Sequence, residues 1–182
     1  MPRDLTELAT CTRCALSATR QRVVVGSGPA SSRLVIIGEA PGATEDEGGE
    51  PFIGRSGRLL FALLDEEAGL ARSDCFVTNV VKCRPPANRT PTRDEIATCR
   101  PWLDAQLARL EPAVVLALGN TAAKSVLGFE EGIGRTHGRL VDLGTGVAMA
   151  TYHPAAALRG GPSVVDVMRA DLRRLKRVLD ES

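Results

Sequence analysis

The sequence predicts an α/β fold, a parallel sheet with helices on both faces, in a single domain spanning residues 1–182. Four short apolar runs, at 34–37, 76–81, 114–118 and 147–151, recur along the chain at similar intervals. Each is followed by a loop and then by residues with helical spacing, the alternation that builds a parallel sheet through right-handed crossovers. The chain has 182 residues, 43% hydrophobic and 25% charged, which suits one globular domain with a substantial core.

The elements follow in order. Residues 22–35 are rich in Gly, Ser and Pro and read as a hairpin or an irregular lead-in. The run at 34–37 reads as a buried strand. It opens into GEAPGATEDEGGEPFIGRSG at 38–57, a loop with five acids (Glu39, Glu45, Asp46, Glu47, Glu50) and six glycines. Chain leaving the C-terminal end of a parallel strand is where α/β proteins place ligands. So many carboxylates do not suit a phosphate; they suit chemistry with water or with a developing positive charge. A helix at 57–70 follows, with Leu59, Leu60, Leu63 and Leu64 on one face. After the second strand, Thr92 and Glu95 have the spacing of a capping box. Pro101 is expected to interrupt that helix or start a new one, because it lacks the N–H an interior position needs. A short helix at 120–127 ends at Gly128. The last helix, at 164–179, places Val165, Met168, Leu172, Leu175 and Leu179 at steps of three and four.

Composition narrows the function classes. No run approaches the roughly 18 apolar residues that span a membrane. The stretch MPRDLTELATC lacks the apolar core of a signal peptide, so a cytoplasmic protein is expected. The net charge of +1 says nothing about nucleic acid, but its distribution does. Lys82, Arg84, Arg89 and Arg93 cluster in one Pro-rich loop suited to phosphate contact, whereas Arg169, Arg173, Arg174, Lys176 and Arg177 read as a solvated helix face. Gly26-Ser27-Gly28 lacks the third glycine and the following helix of a dinucleotide site, and no Gly-Lys-Ser/Thr is present.

Five cysteines are an odd number for a disulfide framework. Cys11 and Cys14 form a close pair, and Cys83 and Cys99 a wide one. Four thiolates from two distant segments can hold Zn or an iron–sulfur cluster, and the wide second pair leans toward the cluster. Buried free cysteines are also often inert, and Cys75, which has no spacing partner, fits that reading. A cluster would tie the N-terminal segment to the core in a structural role.

His153 follows the last strand, at the same sheet edge as Glu39, and is as much a candidate for chemistry as for structure. His137 reads as a surface residue. Asn79, at the end of an apolar strand, either braces the backbone or reads a planar ligand with one donor and one acceptor. Phe52, in the acidic loop, either stacks on a flat ligand or anchors the loop.

These residues resemble the family 4 uracil-DNA glycosylases, the iron–sulfur branch of their superfamily. The resemblance covers nearly the whole chain. It rests on Gly38-Glu39-Ala40-Pro41-Gly42 with Glu45-Asp46 and Pro51-Phe52-Ile53-Gly54, and on Thr78-Asn79-Val80-Val81-Lys82-Cys83-Arg84-Pro85-Pro86. Arg89-Thr90-Pro91, Cys99-Arg100-Pro101 and His153-Pro154 complete it. It implies a central four-stranded parallel sheet, a [4Fe–4S] cluster on Cys11, Cys14, Cys83 and Cys99, and hydrolysis of the N-glycosidic bond of deoxyuridine in DNA. It further implies a base pocket at Ala40, Phe52 and Asn79, with Phe52 stacked on the flipped ring. The Asn79 amide would donate to uracil O4 and accept from N3–H. His153 would bond uracil O2 as negative charge develops there. Glu39 is the first choice to handle water, with Glu45 and Asp46 as alternates. Lys82, Arg84, Arg89 and Arg159 would meet DNA, and Leu158 would either wedge into the vacated stack or pack in the core. The partner is uracil-containing DNA, and the protein is expected to be a monomer.

Two departures stand out. The loop from Arg84 to Arg93 has no histidine, unlike a related branch that becomes covalently attached to DNA, so turnover without an adduct is expected. Ala155-Ala156-Ala157 follows His153-Pro154 where family members often carry a polar or aromatic residue. Two other classes compete. A non-catalytic nucleic-acid-binding module with a structural four-cysteine metal site would not need Glu39, Asn79 and His153 at strand exits. A hydrolase of free nucleosides or nucleotides would not need the basic loop.

Overall fold

The computed structural model describes residues 5–182; the first four residues of the N-terminal stretch lie outside the described residues. Strands β1 (Leu34–Gly38), β2 (Cys75–Asn79), β3 (Val114–Leu118), β4 (Leu140–Asp142) and β5 (Val147–Thr151) form one sheet in the order β2-β1-β3-β5-β4. The four apolar runs are the four parallel strands. The expected four-stranded sheet gains a fifth strand, because β4 pairs antiparallel with β5 through a tight hairpin. β4 is only three residues long and partly exposed, too short for an alternating pattern to reveal it.

The helices are α1 (Ala43–Gly48), α2 (Arg55–Ala68), α3 (Arg93–Leu110), α4 (Gly119–Leu127), the single turn α5 (Ile133–Thr136), α6 (Pro154–Gly160) and α7 (Pro162–Glu181). Thr92 and Glu95 do form the capping box at the start of α3: Glu95 N donates to Thr92 Oγ1 at 3.2 Å, and Thr92 N donates to Glu95 Oε2 at 2.8 Å. Pro101, expected to interrupt the helix or start a new one, lies inside it. The flanking Cys99, Trp102 and Leu103 are buried on one side of α3, so packing outweighs the one hydrogen bond that proline forfeits. The acidic loop also differs from expectation, since its middle winds into α1. The lead-in at 22–35 is irregular and joins the sheet edge through one antiparallel bridge, Ser27 to Val77.

Alternation along the strands builds two cores. Leu34 and Ile36 of β1 face one side, with Leu60, Leu63 and Leu64 of α2 and Met168, Leu172 and Leu175 of α7. Val35 and Ile37 face the other, with Trp102 and Leu103 of α3, Ala122 and Ala123 of α4, and Leu8 and Leu16 of the N-terminal segment. The chain goes from β1 outward to β2 and then back across β1 to β3. The crevice at the C-terminal ends of β1 and β3 is therefore the topological switch point, where such sheets bind ligands.

Candidate active site

A cleft of about 840 Å3 opens at that switch point, within the size range of ligand sites. Every parallel strand delivers a residue to it: Glu39 and Ala40 after β1, Asn79 at the end of β2, Thr121 after β3, and Tyr152 and His153 after β5. Phe52 and Glu45 enter from the acidic loop. The N-termini of α2, α4 and α6 border the cleft through Arg55 and Ser56, Asn120 and Thr121, and Ala155 and Ala156. Their backbone dipoles favour negative charge between them.

Asn79 forms the floor of the cleft. Its side chain is almost wholly buried, and Oδ1 has no hydrogen-bond partner among the described residues. Leaving such an oxygen unpaired costs about 1–3 kcal/mol. Phe52 lies against the same spot: a Cβ on Gly38 would come within 2.5 Å of Asn79 Oδ1 and 2.6 Å of the Phe52 ring. Glycine at 38 is what lets these two groups meet. Phe52 has φ of 56°, the left-handed region, which costs a non-glycine residue about 1–2 kcal/mol. Phe52 is 7% exposed, and its ring centroid lies 5.7 Å from that of His153.

His153 caps the N-terminus of α6. Its Nδ1 accepts from Ala155 N at 3.1 Å, which assigns the proton of the neutral ring to Nε2. Burial, and then the nearby Arg159, hold its pKa down to about 4. The ring is thus a neutral N–H donor at ordinary pH. His137, expected at the surface, is half-buried: Nδ1 lies 3.2 Å from Asp171, which also accepts from Thr151 Oγ1 at 2.6 Å.

The three candidate acids separate. Asp46 does not line the cleft; it is 1% exposed and accepts from the backbone N–H groups of Gln21 and Arg22, so it anchors the lead-in rather than handling water. Glu45 lines the cleft but clamps the loop, accepting from Gly42 N at 3.2 Å and Gly54 N at 2.9 Å. Glu39 accepts a short hydrogen bond from Thr121 Oγ1 on Oε2, and its Oε1 has no hydrogen bond among the described residues. Thr121, Tyr152 and Arg55 line the cleft without having been singled out from sequence. For Thr121 a signal existed, a polar pair, Asn120-Thr121, at a strand exit.

The expected DNA contacts also separate. Lys82 is not available to DNA: it is 1% exposed, and Nζ donates to Thr78 Oγ1, the Asn79 carbonyl and Gln106 Oε1. Burial holds its pKa down to about 7. Arg84 is engaged within its own loop, donating to Asn88 Oδ1 at 2.7 Å. Arg89 lines the cleft while its guanidinium forms a bidentate pair with Glu95 at 2.7 and 2.8 Å. That pair pulls the Glu95 carboxyl down to about 2. Arg159 is exposed at the cleft rim. Leu158 is 44% exposed, so it is not a core residue.

Cys11, Cys14, Cys83 and Cys99 surround one small pocket with Leu8, Arg13, Arg20, Lys82 and Trp102. Trp102 Nε1 donates to Cys11 Sγ at 3.3 Å, and Arg20 Nη1 donates to Cys83 Sγ at 3.5 Å. Among the described residues no three His, Cys, Asp or Glu side chains form a ligand group for a single metal ion. Cys75 is buried away from this pocket, and burial pushes its thiol up to about 12, which makes it inert.

Residues 25–173 match the family model of the uracil DNA glycosylase superfamily. A type-4 uracil-DNA glycosylase of Thermotoga maritima is 46% identical over 82% of this chain and 78% of its own length. One of Pyrobaculum aerophilum is 42% identical over 94% of this chain and 93% of its own. One of Saccharolobus solfataricus is 39% identical over 95% of this chain and 83% of its own. With strand exits, cleft and cysteines arranged as described, the chain belongs to the uracil DNA glycosylase superfamily, among its type-4 members.

Proposed function

We propose that this protein excises uracil from DNA: it takes a deoxyuridine out of the stack and hydrolyses its N-glycosidic bond, leaving an abasic site for repair. The observation that carries this reading is the orphaned Asn79 Oδ1 on the cleft floor, beside the Phe52 ring and the His153 ring. A buried acceptor with no donor asks for a ligand N–H. Uracil N3–H supplies one, the Asn79 amide donates in return to O4, and Phe52 stacks on the ring. Cytosine presents the opposite pattern at both positions, and mispairing of buried groups can discriminate by about 10⁴–10⁵.

When the bond breaks, its electrons pass to the base and the sugar becomes cationic. The neutral His153 donates Nε2–H to uracil O2 as that charge grows, and the N-termini of α2, α4 and α6 favour the same anion. Glu39 holds the water that adds to the sugar carbon and accepts its proton, while its charge steadies the cationic sugar. Glu45 keeps the loop in shape. Arg159 and Arg89 meet phosphates at the rim, and Leu158 fills the space the flipped nucleotide leaves. The loop from Arg84 to Arg93 holds no histidine to trap the sugar, so the product is free DNA rather than an adduct. The proposed site is complete within one chain, so a monomer suffices for the reaction.

The four thiols fit a [4Fe–4S] cluster. They surround a common pocket instead of closing on one ion, and N–H groups point at two of the sulfurs, the surroundings that tune such clusters. When bound, the cluster supplies a cross-link between the N-terminal segment and the core. Incubation with uracil-containing oligonucleotides tests the reading. Alkali-labile abasic sites are expected, and their absence in both single and double strands would contradict it. A brown protein with iron–sulfur absorbance is expected from anaerobic purification.

A further inference from the structure

We propose that Lys82 is a positioning residue for base reading: its side-chain amine holds the peptide carbonyl of Asn79 and thereby helps fix the carboxamide that meets the base. This rests on the uracil reading of the cleft and assigns a role to a residue that sequence had placed on DNA.

Three oxygens lie within hydrogen-bond distance of the Lys82 amine. Nζ lies 2.6 Å from Thr78 Oγ1, 2.7 Å from the Asn79 carbonyl and 2.6 Å from Gln106 Oε1. No donor remains for a phosphate, and no carboxylate pairs with the charge among the described residues. A buried lysine amine is costly unless its hydrogen bonds are met, and these three oxygens meet them.

The contacts join three parts of the fold. Gln106 of α3 donates onward to the Val25 carbonyl at 2.5 Å, fixing the lead-in. Beyond β2, Val80 N and Val81 N donate to the carbonyls of Gly38 and Glu39 at 2.9 and 3.2 Å, so the same segment also sets the exit of β1. The Lys82 stem crosses from the cysteine pocket to the strand end. Asn79 has its own side chain unpaired at Oδ1, so nothing on that oxygen fixes the orientation of the amide. Its backbone carbonyl, held by Lys82, adds a restraint to the ladder pairing with Gly38, and a misplacement of even half an ångström degrades a site of this kind.

Free uracil isolates base reading from DNA binding, so its inhibition of excision is the test. Lys82→Met keeps the stem and removes the donors. It is expected to raise the uracil concentration for half-inhibition by roughly tenfold or more, with kcat lowered. DNA affinity, the salt slope of that affinity and the iron–sulfur absorbance should stay as in the wild type. Thr78→Val removes one acceptor with little change of shape and should shift uracil inhibition in the same direction by less. A folded Lys82→Met with wild-type uracil inhibition would overturn the proposal. So would a salt slope reduced by about one, the mark of a lost phosphate contact. If Lys82→Met does not fold, Thr78→Val and Gln106→Leu decide, and unchanged uracil inhibition in both overturns it. Failure of the wild type to excise uracil would instead strike the functional reading itself.

Discussion

Asn79, His153 and Thr121 each do something that their residue type alone does not specify. The carboxamide is unpaired at Oδ1 and the imidazole is neutral, which in the proposed reaction lets a base complete the first and accept from the second. With its pKa held near 4, chiefly by burial, His153 stays uncharged between about pH 6 and 8. The excision rate should therefore show no histidine limb there and should fall only as pH nears 4. Stability follows the same sign. The unfolded chain takes up the His153 proton near pH 6.5 and the folded chain only near 4, so its contribution is complete above about 6.5 and lost as pH falls to about 4. Melting curves of the wild type and His153→Gln across that window check this, since the variant should lack the step. Thr121 offers a second prediction. Thr121→Val should lower kcat by roughly tenfold with KM nearly unchanged, because it frees Glu39 without touching the base. Thr121→Ser should restore most of the rate. The sequence could place Glu39, Asn79 and His153 at strand exits. It could not show that Asp46 and Lys82 turn inward, because a short chain segment carries no record of which face a polar side chain takes.

At the scale of elements, the acidic loop is held by close approaches rather than by its acids alone. A Cβ on Gly57, in the first turn of α2, would come within 1.7 Å of the Phe52 carbonyl. Gly57→Ala must therefore displace either α2 or the Phe52 turn. A loss of about 1–3 kcal/mol in chemical unfolding is expected, together with weaker uracil binding. A substitution at Gly132, whose φ is −70° and where a Cβ would meet only Asn120 Oδ1 at 3.9 Å, serves as a control for glycine removal. The strands and long helices were legible from their apolar spacing, down to the Thr92 cap. The winding of α1, the passage of α3 through Pro101 and the β4 edge were not. Each is decided by tertiary packing or by a pattern too short to register.

At the scale of the molecule, the cysteine pocket joins the N-terminal segment, the exit of β2 and α3, while the cleft joins the exits of all four parallel strands. They share the segment from Asn79 to Cys83, so damage at one should be felt at the other. Cys99→Ser is expected to lose iron–sulfur absorbance and to melt at a lower temperature, with the N-terminal segment becoming sensitive to protease. The pairing of distant cysteines was visible in their spacing, but which neighbours donate to the sulfurs was not, since Trp102 and Arg20 are brought there only by folding. The most direct test of the account is the ratio of excision rates for uracil and cytosine in the same single-stranded oligonucleotide, for the wild type and Asn79→Ala. Rapid uracil release with no detectable cytosine release is expected from the wild type, and a uracil rate at least about a hundredfold lower from the variant. A folded Asn79→Ala protein that excises uracil at the wild-type rate would contradict it.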